Sequence, residues 1–178
     1  MKNSTANAVD FEHQDGRIIE IGLTTVDLEE LEVIQSYSIP IWDSEYPIEL
    51  RREIKDLTGW TENKLKKSGI PLKEALHRLK SKYGAQNRLC ITDSWDELSL
   101  IGTSLLDMDV FDQYGLCPIR ETMNVTTLWK IKTGNFYPNL DLRAMLAHFD
   151  LEFEGREHSA KDDSLNIARL FTTVMRTK

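Results

Sequence analysis

The dipeptide Asp15-Gly16 is the feature that most constrains the fold of this chain, because it separates two stretches that read as β-strands. Asp-Gly strongly favours the tight two-residue turn of a β-hairpin. The stretch after the turn carries the apolar residues Ile18, Ile19, Ile21, Leu23 and Val26. A third extended stretch follows at Glu32–Ile39. We therefore expect three consecutive strands, the first two paired as a hairpin.

Helical spacing of apolar residues begins after Pro47 and then alternates with short strand-like stretches. The alternation predicts an α/β protein with a mixed five-stranded sheet, the first three strands antiparallel, and helices on both faces. A length of 178 residues suits one domain, residues 1–178. The predicted strands are Leu89–Ile91 and Thr122–Val125, and the predicted helices are Ile48–Leu57, Thr61–Ser68, one from Pro71, one after Asp96, Leu128–Lys132, Leu140–Phe149 and Asp162–Met175.

The composition indicates where the protein is found and which ligands its surface can bind. No apolar stretch reaches the length of a membrane span, and Met1–Ala8 lacks the apolar core of a secretory signal, so we expect a cytoplasmic protein without membrane association. Cys90 and Cys117 have no metal-type spacing and are expected to be reduced. The net charge of -7 argues against an extended phosphate-binding surface. It still allows an enzyme that grips a few terminal nucleotides beside bound cations.

Two carboxylates lie in the first predicted strand. Asp10 and Glu12 are separated by one residue, and side chains at that spacing share one face of a strand. Two oxygen ligands therefore point to one place. Oxygen ligands of this kind suit Mg²⁺ or Mn²⁺, so the pattern predicts a divalent-metal site that more distant carboxylates complete.

The last helix contains two adjacent aspartates, and helical phase separates them. Asp163 is in phase with three apolar residues, whereas Asp162 is in phase with polar ones. An inward-facing carboxylate is costly without a partner. A metal ion would provide one, and capping of the helix N-terminus is the alternative interpretation. The apolar residues in phase with Asp163 are Ile167, Leu170 and Val174.

A middle acidic motif and a histidine complete the candidate set. In Asp93-Ser94-Trp95-Asp96 we prefer Asp96 as a ligand and interpret Asp93 as a helix cap. Trp95 either stacks on a nucleobase or fills the core. His158 lies five residues before Asp163, where an imidazole could accept a proton near neutral pH, or it could be an ordinary surface histidine.

These residues resemble a known family. Asp10, Glu12, Asp96, His158 and Asp163 match the DEDDh exonucleases of the DnaQ-like superfamily, which have the ribonuclease H-like fold. Three further segments resemble that family's second strand, its Leu-Thr-Gly-Ile-Thr element and its third motif. Asp10-Phe11-Glu12 and Ser94-Trp95-Asp96 resemble the ERI-like branch, which includes KapD-type bacterial exonucleases. The three segments are Ile18–Gly22, Leu57–Thr61 and Phe153–Arg169.

The resemblance implies a function. It implies a 3'-to-5' exonuclease that hydrolyses the terminal phosphodiester of single-stranded RNA or DNA and releases nucleoside 5'-monophosphates. Asp10, Glu12, Asp96 and Asp163 would hold two Mg²⁺ or Mn²⁺ ions, and His158 would be the general base. Phe11 and Trp95, together with His158, are expected to contact the substrate. The oligomeric state is left open.

Two points qualify this interpretation. The link between the first two strands, His13–Gly16, is shorter than the insertion usual in the ERI-like branch. In addition, the acidic charge and the likeness to KapD, a sporulation inhibitor, leave a second hypothesis. That hypothesis is a non-catalytic regulatory protein that keeps the nuclease fold and acts by binding a partner.

Overall fold

The computed structural model describes residues 4–94, 97–107, 119–137 and 140–177, and within them five strands form one mixed sheet. The strand order across the sheet is β3-β2-β1-β4-β5. The strands are β1 Thr5–Gln14, β2 Arg17–Asp27, β3 Glu32–Pro40, β4 Leu89–Thr92 and β5 Glu121–Asn124. The helices are α1 Arg52–Thr58, α2 Glu62–Ser68, α3 Leu72–Ser81, α4 Glu97–Asp107, α5 Val125–Thr133, α6 Leu142–Ala147 and α7 Ala160–Arg176, with a short 3₁₀ turn at Ala85–Asn87.

The opening hairpin forms as predicted. Asp15 and Gly16 have φ values of 54° and 82°, so both residues of the turn are left-handed, which matches the right-handed twist of the flanking strands. β1 and β2 pair antiparallel over their whole lengths, and β3 continues the antiparallel half. The link between β1 and β2 is therefore the two-residue turn itself.

The other half of the sheet is parallel. β4 lies beside β1, and β5 lies beside β4, both in parallel register. The carboxyl ends of β1, β4 and β5 consequently meet at the same edge of the sheet. The predicted fold class, a mixed five-stranded α/β sheet of ribonuclease H-like type, is confirmed.

Helices cover both faces of the sheet, which explains why most strand residues are buried. One face packs on α3 and α4 through a cluster that includes Ile21, Leu76 and Ile101. The other face packs on α5, α6 and α7 through Trp129, Met145 and Phe171 among others. A central strand enclosed on both faces carries few exposed side chains.

The first predicted helix begins later than expected. The interpretation of Ile48–Leu57 as helical was wrong at its start, because α1 begins at Arg52. The backbone before it bonds to other parts of the chain instead: the Leu50 N–H donates to the Glu62 carboxylate at 2.8 Å, and the Arg51 N–H donates to Gln14 Oε1 at 2.8 Å. Tertiary hydrogen bonds replace helical ones there.

Val125, expected to end a strand, is the first residue of α5.

Asn7 explains how a polar residue occupies a central strand. It is 1 % exposed, yet both polar atoms of its side chain form hydrogen bonds. Its Nδ2 donates to the Tyr83 carbonyl at 3.0 Å, and its Oδ1 accepts from Thr25 Oγ1 at 3.2 Å and from the Arg88 guanidinium at 3.4 Å. A buried amide with these partners costs little.

Two further expectations concern cysteine and membranes. Cys90 is buried in the core, whereas Cys117 lies outside the described residues. In the described part of the chain, none of the helices combines the length and the apolar character that crossing a bilayer requires.

Candidate active site

Asp10 and Glu12 lie near the carboxyl end of β1 and face α7. In the hairpin register Asp10 is opposite Gly22, and Glu12 is opposite Glu20. The alternation of the strand turns both carboxylates toward the same side. Asp163, in the first turn of α7, brings a third carboxylate, and one oxygen from each of the three lies within 4.8 Å of the others.

Gly22 allows the helix to come this close to the sheet. A Cβ at that position would lie 1.7 Å from the carbonyl oxygen of Ala160, the first residue of α7. No side chain fits in that space, so the helix backbone rests directly on the strand. The spacing between Asp163 and the carboxylates of β1 therefore depends on a glycine of the neighbouring strand.

The surroundings disfavour the ionised forms of Glu12 and Asp163. Burial and the nearby charge of Glu20 raise the pKa of Glu12 to about 7, although Arg156 opposes the shift. Burial and the charge of Glu12 raise the pKa of Asp163 to about 7. Desolvated carboxylates that face one another disfavour simultaneous ionisation. A divalent cation would relieve both causes at once.

The donor set fits such a cation. Three carboxylates offer hard oxygen atoms, which suit Mg²⁺ or Mn²⁺ better than soft metals. The first turn of α7 also carries Asp162 and Asp163, and acidic residues are favourable at a helix N-terminus. Asp163 is not the N-cap itself, because Ser159 occupies that position. The capping interpretation is therefore wrong for the helix terminus, although the Asp163 carboxylate does accept the backbone N–H of His158.

His158 reaches the cluster from an exposed, tightly held loop. Its backbone is left-handed, with φ of 60°, and its N–H donates to the Asp163 carboxylate. Two other residues of α7 hold the same loop. Asn166 exchanges two hydrogen bonds with the backbone of Glu154, at 3.0 and 2.8 Å, and Asp162 accepts the N–H of Arg156 at 3.0 Å. The position of His158 is thus fixed by the helix that carries Asp163.

Arg156 ties this loop to the opposite wall of the site. Its guanidinium donates to the carbonyls of Asp56 and Leu57, at 3.0 and 2.7 Å, at the end of α1. Gly59, with φ of 74°, ends that helix, and a Cβ there would lie 2.0 Å from the guanidinium. A cation beside helix carbonyls is well placed. Sequence reasoning assigned Arg156 no role, because its partners lie about a hundred residues away in the chain.

Glu20 joins three elements beneath the site. This carboxylate is 2 % exposed and accepts hydrogen bonds from Ser38 Oγ of β3, from Trp60 Nε1 at 2.8 Å, and from the N–H of Ala160 at 3.2 Å. It therefore fixes the start of α7 against the sheet. Its partners also explain how a glutamate is accommodated in the interior.

Asp93, interpreted from the sequence as a helix cap, also borders the candidate site. Its carboxylate accepts the backbone N–H groups of Asp93 and Ser94, and residues 95 and 96, which precede α4, lie outside the described residues. Burial raises its pKa, and its charge contributes to the raised pKa of Asp163. β1 and β4 pair through Asn7–Ala8 and Cys90–Ile91, and Asp10 and Asp93 both lie two residues after these pairs. The two aspartates therefore occupy equivalent places at the carboxyl ends of neighbouring parallel strands. The signal that could have identified it was its position directly after a buried parallel strand.

These residues surround one open cavity of about 540 Å³. Phe11 contributes to the cavity although it is 5 % exposed, and the loop after Phe153 forms another side. The structure thus brings Asp10, Phe11, Glu12, His158 and Asp163 together around one space. Two residues of the predicted site, Trp95 and Asp96, lie outside the described residues. The cavity is lined by Asp10–His13, Ile54, Leu57, Asp93, Asp141, Leu142, Phe153, Glu157, His158 and Asp163.

Comparison with known proteins supports the fold. No protein-family model and no curated protein sequence matches the chain. Solved structures of 3'-exonucleases do match it over nearly its whole length. One, described as a 3'-exonuclease that recognises the 3' end of a histone mRNA stem-loop, has a TM-score of 0.79 at 17 % identity, over 97 % of this chain and 82 % of that one.

Two further structures broaden the comparison. The nuclease domain of 3'hExo, a DEDDh family member bound to rAMP, has a TM-score of 0.75 at 17 % identity, covering 97 % of this chain and 92 % of that chain. Exonuclease I of E. coli, in complex with a dT13 oligonucleotide, has a TM-score of 0.69 at 13 % identity. That match covers 98 % of this chain but 42 % of the longer protein. The chain therefore shares its fold with these exonucleases.

Proposed function

We propose that this chain is a divalent-metal-dependent 3'-to-5' exonuclease of the DEDDh family, acting on single-stranded RNA or DNA. The observation that carries the proposal is the meeting of Asp10, Glu12 and Asp163 within 4.8 Å, in a cavity to which His158 also contributes. The likeness in fold to 3'-exonucleases supports the same conclusion.

The proposed site holds two Mg²⁺ or Mn²⁺ ions. Asp10, Glu12 and Asp163 would hold one, and Asp10 with Asp96 would help to place the second. Such ions lower the pKa of a bound water and stabilise the attacking and leaving oxygens of an in-line displacement. Asp93 lines the same cavity and offers a further carboxylate close to Asp163.

The remaining chemistry falls to side chains of this chain. His158 accepts the proton of the attacking water, and the held loop keeps this exposed residue at the border of the cavity. Phe11, buried between the core and the cavity, supports the terminal nucleotide. The P–O3' bond then breaks, the terminal nucleotide leaves as a 5'-monophosphate, and the shortened strand regains a free 3' hydroxyl.

The test uses matched oligonucleotides of RNA and DNA with free and blocked 3' ends. We expect stepwise shortening of the free ends in Mg²⁺ or Mn²⁺, and no shortening of blocked ends or in chelator. Asp10→Asn and Asp163→Asn should each lower the rate by at least about 100-fold, as expected when a metal ligand is lost. Glu121→Gln, which changes an exposed carboxylate of β5, serves as the control and should retain the wild-type rate.

Two results would contradict the proposal. Cleavage of blocked ends would indicate an endonuclease. Equal behaviour of wild-type protein and Asp10→Asn on every substrate would instead favour the non-catalytic regulatory alternative. His158→Asn should lower the rate without abolishing metal binding.

A further inference from the structure

Two large aromatic side chains stand exposed on the loop that follows α5. Phe136 is 70 % exposed and Tyr137 is 74 % exposed, and Ile131 in the last turn of α5 is 66 % exposed. We call Phe136 and Tyr137 the aromatic pair. The loop Gly134–Tyr137 borders an open depression of about 470 Å³. Adjacent exposed aromatics of this size commonly mark a binding surface.

Hydrogen bonds fix the backbone of this loop, although the rings of the aromatic pair do not pack into the core. Gly134 ends α5 in a left-handed conformation with φ of 67°. Thr133 Oγ1 accepts the N–H of Asn135 at 3.2 Å, and Asn135 Oδ1 accepts the N–H of Tyr137 at 3.1 Å. Local side-chain hydrogen bonds therefore order the loop and present the rings to solvent.

The aromatic pair also lies close to the candidate active site. Asp141 and Leu142 border the acidic cavity, and Asp141 follows Tyr137 by four residues. Four residues of any conformation span at most about 14 Å. The rings are thus within the length of a few nucleotides of the cavity.

The sequence around the aromatic pair contains no acidic residue. The chain carries 29 acidic residues, but none occurs between Glu121 and Asp141. Elsewhere the net charge of -7 and the carboxylates of the cavity oppose a nucleic acid. Stacking of bases on aromatic rings does not depend on a basic surface and tolerates any sequence.

We propose that the aromatic pair is a stacking platform for the single-stranded segment upstream of the 3' end. The inference rests on the proposed exonuclease function, because it assigns the occupant of this surface from the reaction at the neighbouring cavity. A strand bound in this way keeps its 3' end near the cavity after each cleavage. Affinity should therefore grow with strand length until the bases reach the rings.

The experiment measures binding of fluorescently labelled U12 and U2 by anisotropy, in the Asp163→Asn background so that cleavage does not interfere. The double variant Phe136→Ala with Tyr137→Ala should weaken binding of U12 by about 10-fold to 100-fold, the effect expected for one or two lost stacking contacts. The ratio of U12 affinity to U2 affinity should fall accordingly. Substituting Phe136→Trp and Tyr137→Phe should preserve that ratio.

A matched control comes from the other edge of the sheet. Ile34 on β3 is 56 % exposed, and Ile34→Ala should leave the binding of U12 unchanged. Because stacking contributes little to salt dependence, the loss in the double variant should be similar at 50 and 200 mM NaCl. These expectations separate stacking from general attraction to a phosphate chain.

The outcomes are distinct from those for the proposed function. If the double variant bound U12 as tightly as its parent, or if Ile34→Ala weakened binding equally, the platform would be ruled out. A surface that docks a protein would give the first of these results. Ring-dependent binding of U12 by a wild-type protein that never shortens it would overturn the exonuclease proposal and leave the stacking surface in place.

Discussion

Replacing Glu12 with glutamine should stabilise the metal-free protein at pH 8. The pKa of Glu12 rises from 4.5 to about 7 on folding, mainly because the carboxyl group is buried and secondly because Glu20 lies near. Each unit of pKa shift corresponds to about 1.4 kcal/mol, so ionisation of Glu12 opposes folding by up to about 3 kcal/mol. Glutamine keeps the shape of the side chain and removes the charge.

The pH dependence follows from the direction of the shift. Because the folded pKa lies above the unfolded one, the contribution of Glu12 to stability is fully present below about pH 4.5 and is lost as the pH rises through about 7. The pKa of Asp163 is raised to about 7 as well, partly by the charge of Glu12, so the two shifts are not additive. In chelator, wild-type protein should become less stable between pH 5 and pH 8.

The assay is thermal unfolding in chelator, followed at pH 5 and at pH 8. At pH 8 we expect Glu12→Gln to gain about 2 kcal/mol, which for a chain of this length raises Tm by about 4 to 8 °C. At pH 5 the gain should nearly vanish, because the wild-type carboxyl group is then protonated. Saturating Mn²⁺ should reverse the order at pH 8, since ligand binding stabilises the wild type more than the variant.

The control is a carboxylate whose pKa shifts the other way. Glu62 has its pKa lowered to about 2, chiefly by its hydrogen bond with Lys55. Glu62→Gln should therefore lose stability at pH 8, with no response to Mn²⁺. The reasoning would be refuted if Glu12→Gln melted at or below the wild-type temperature at pH 8 in chelator, because ionisation of the buried Glu12 carboxyl group would then not destabilise the fold.

Three further perturbations test the arrangement around the site. Gly22→Ala should prevent α7 from seating on β2 and lower Tm by more than 10 °C, roughly the effect of 3 kcal/mol or more; an unchanged melting curve would show that the close approach to Ala160 is dispensable. Arg156→Gln should lower kcat about 10-fold with little change in KM, because the loop of His158 loses its anchor on α1, and an effect on KM alone would contradict this. Asp93→Asn should weaken Mn²⁺ binding, measured by calorimetry, about 10-fold, whereas equal affinity would place Asp93 outside the metal environment.

Local sequence patterns were enough to predict the structural features that depend only on residues close together in the chain. The Asp15-Gly16 turn fixes the hairpin, and the strand period then turns Asp10 and Glu12 to one side. The helical period likewise distinguished Asp163 from Asp162. In these segments, hydrophobic phase and turn chemistry are properties of a few adjacent residues.

Other features depended on contacts that no local pattern contains. Asp93 reaches the cavity because β4 is parallel to β1, a pairing of strands about eighty residues apart. Arg51 is the N-cap of α1, and its N–H, which has no partner within the helix, bonds to Gln14 on the first hairpin. Arg156 similarly bonds to the far wall of the site. Their roles follow from tertiary register, which hydrophobic periodicity does not encode.

The buried Asn7 favours the correct register of β1 during folding. If β1 slipped by one residue, every side chain would exchange faces, and Asp10 and Glu12 would point away from α7. In the same slip Asn7 would leave its partners on Thr25 and Tyr83, and an apolar neighbour would take its place. A misaligned chain thus loses stability at Asn7, a residue outside the acidic cluster, so the molecules that complete folding are those whose carboxylates already face the helix.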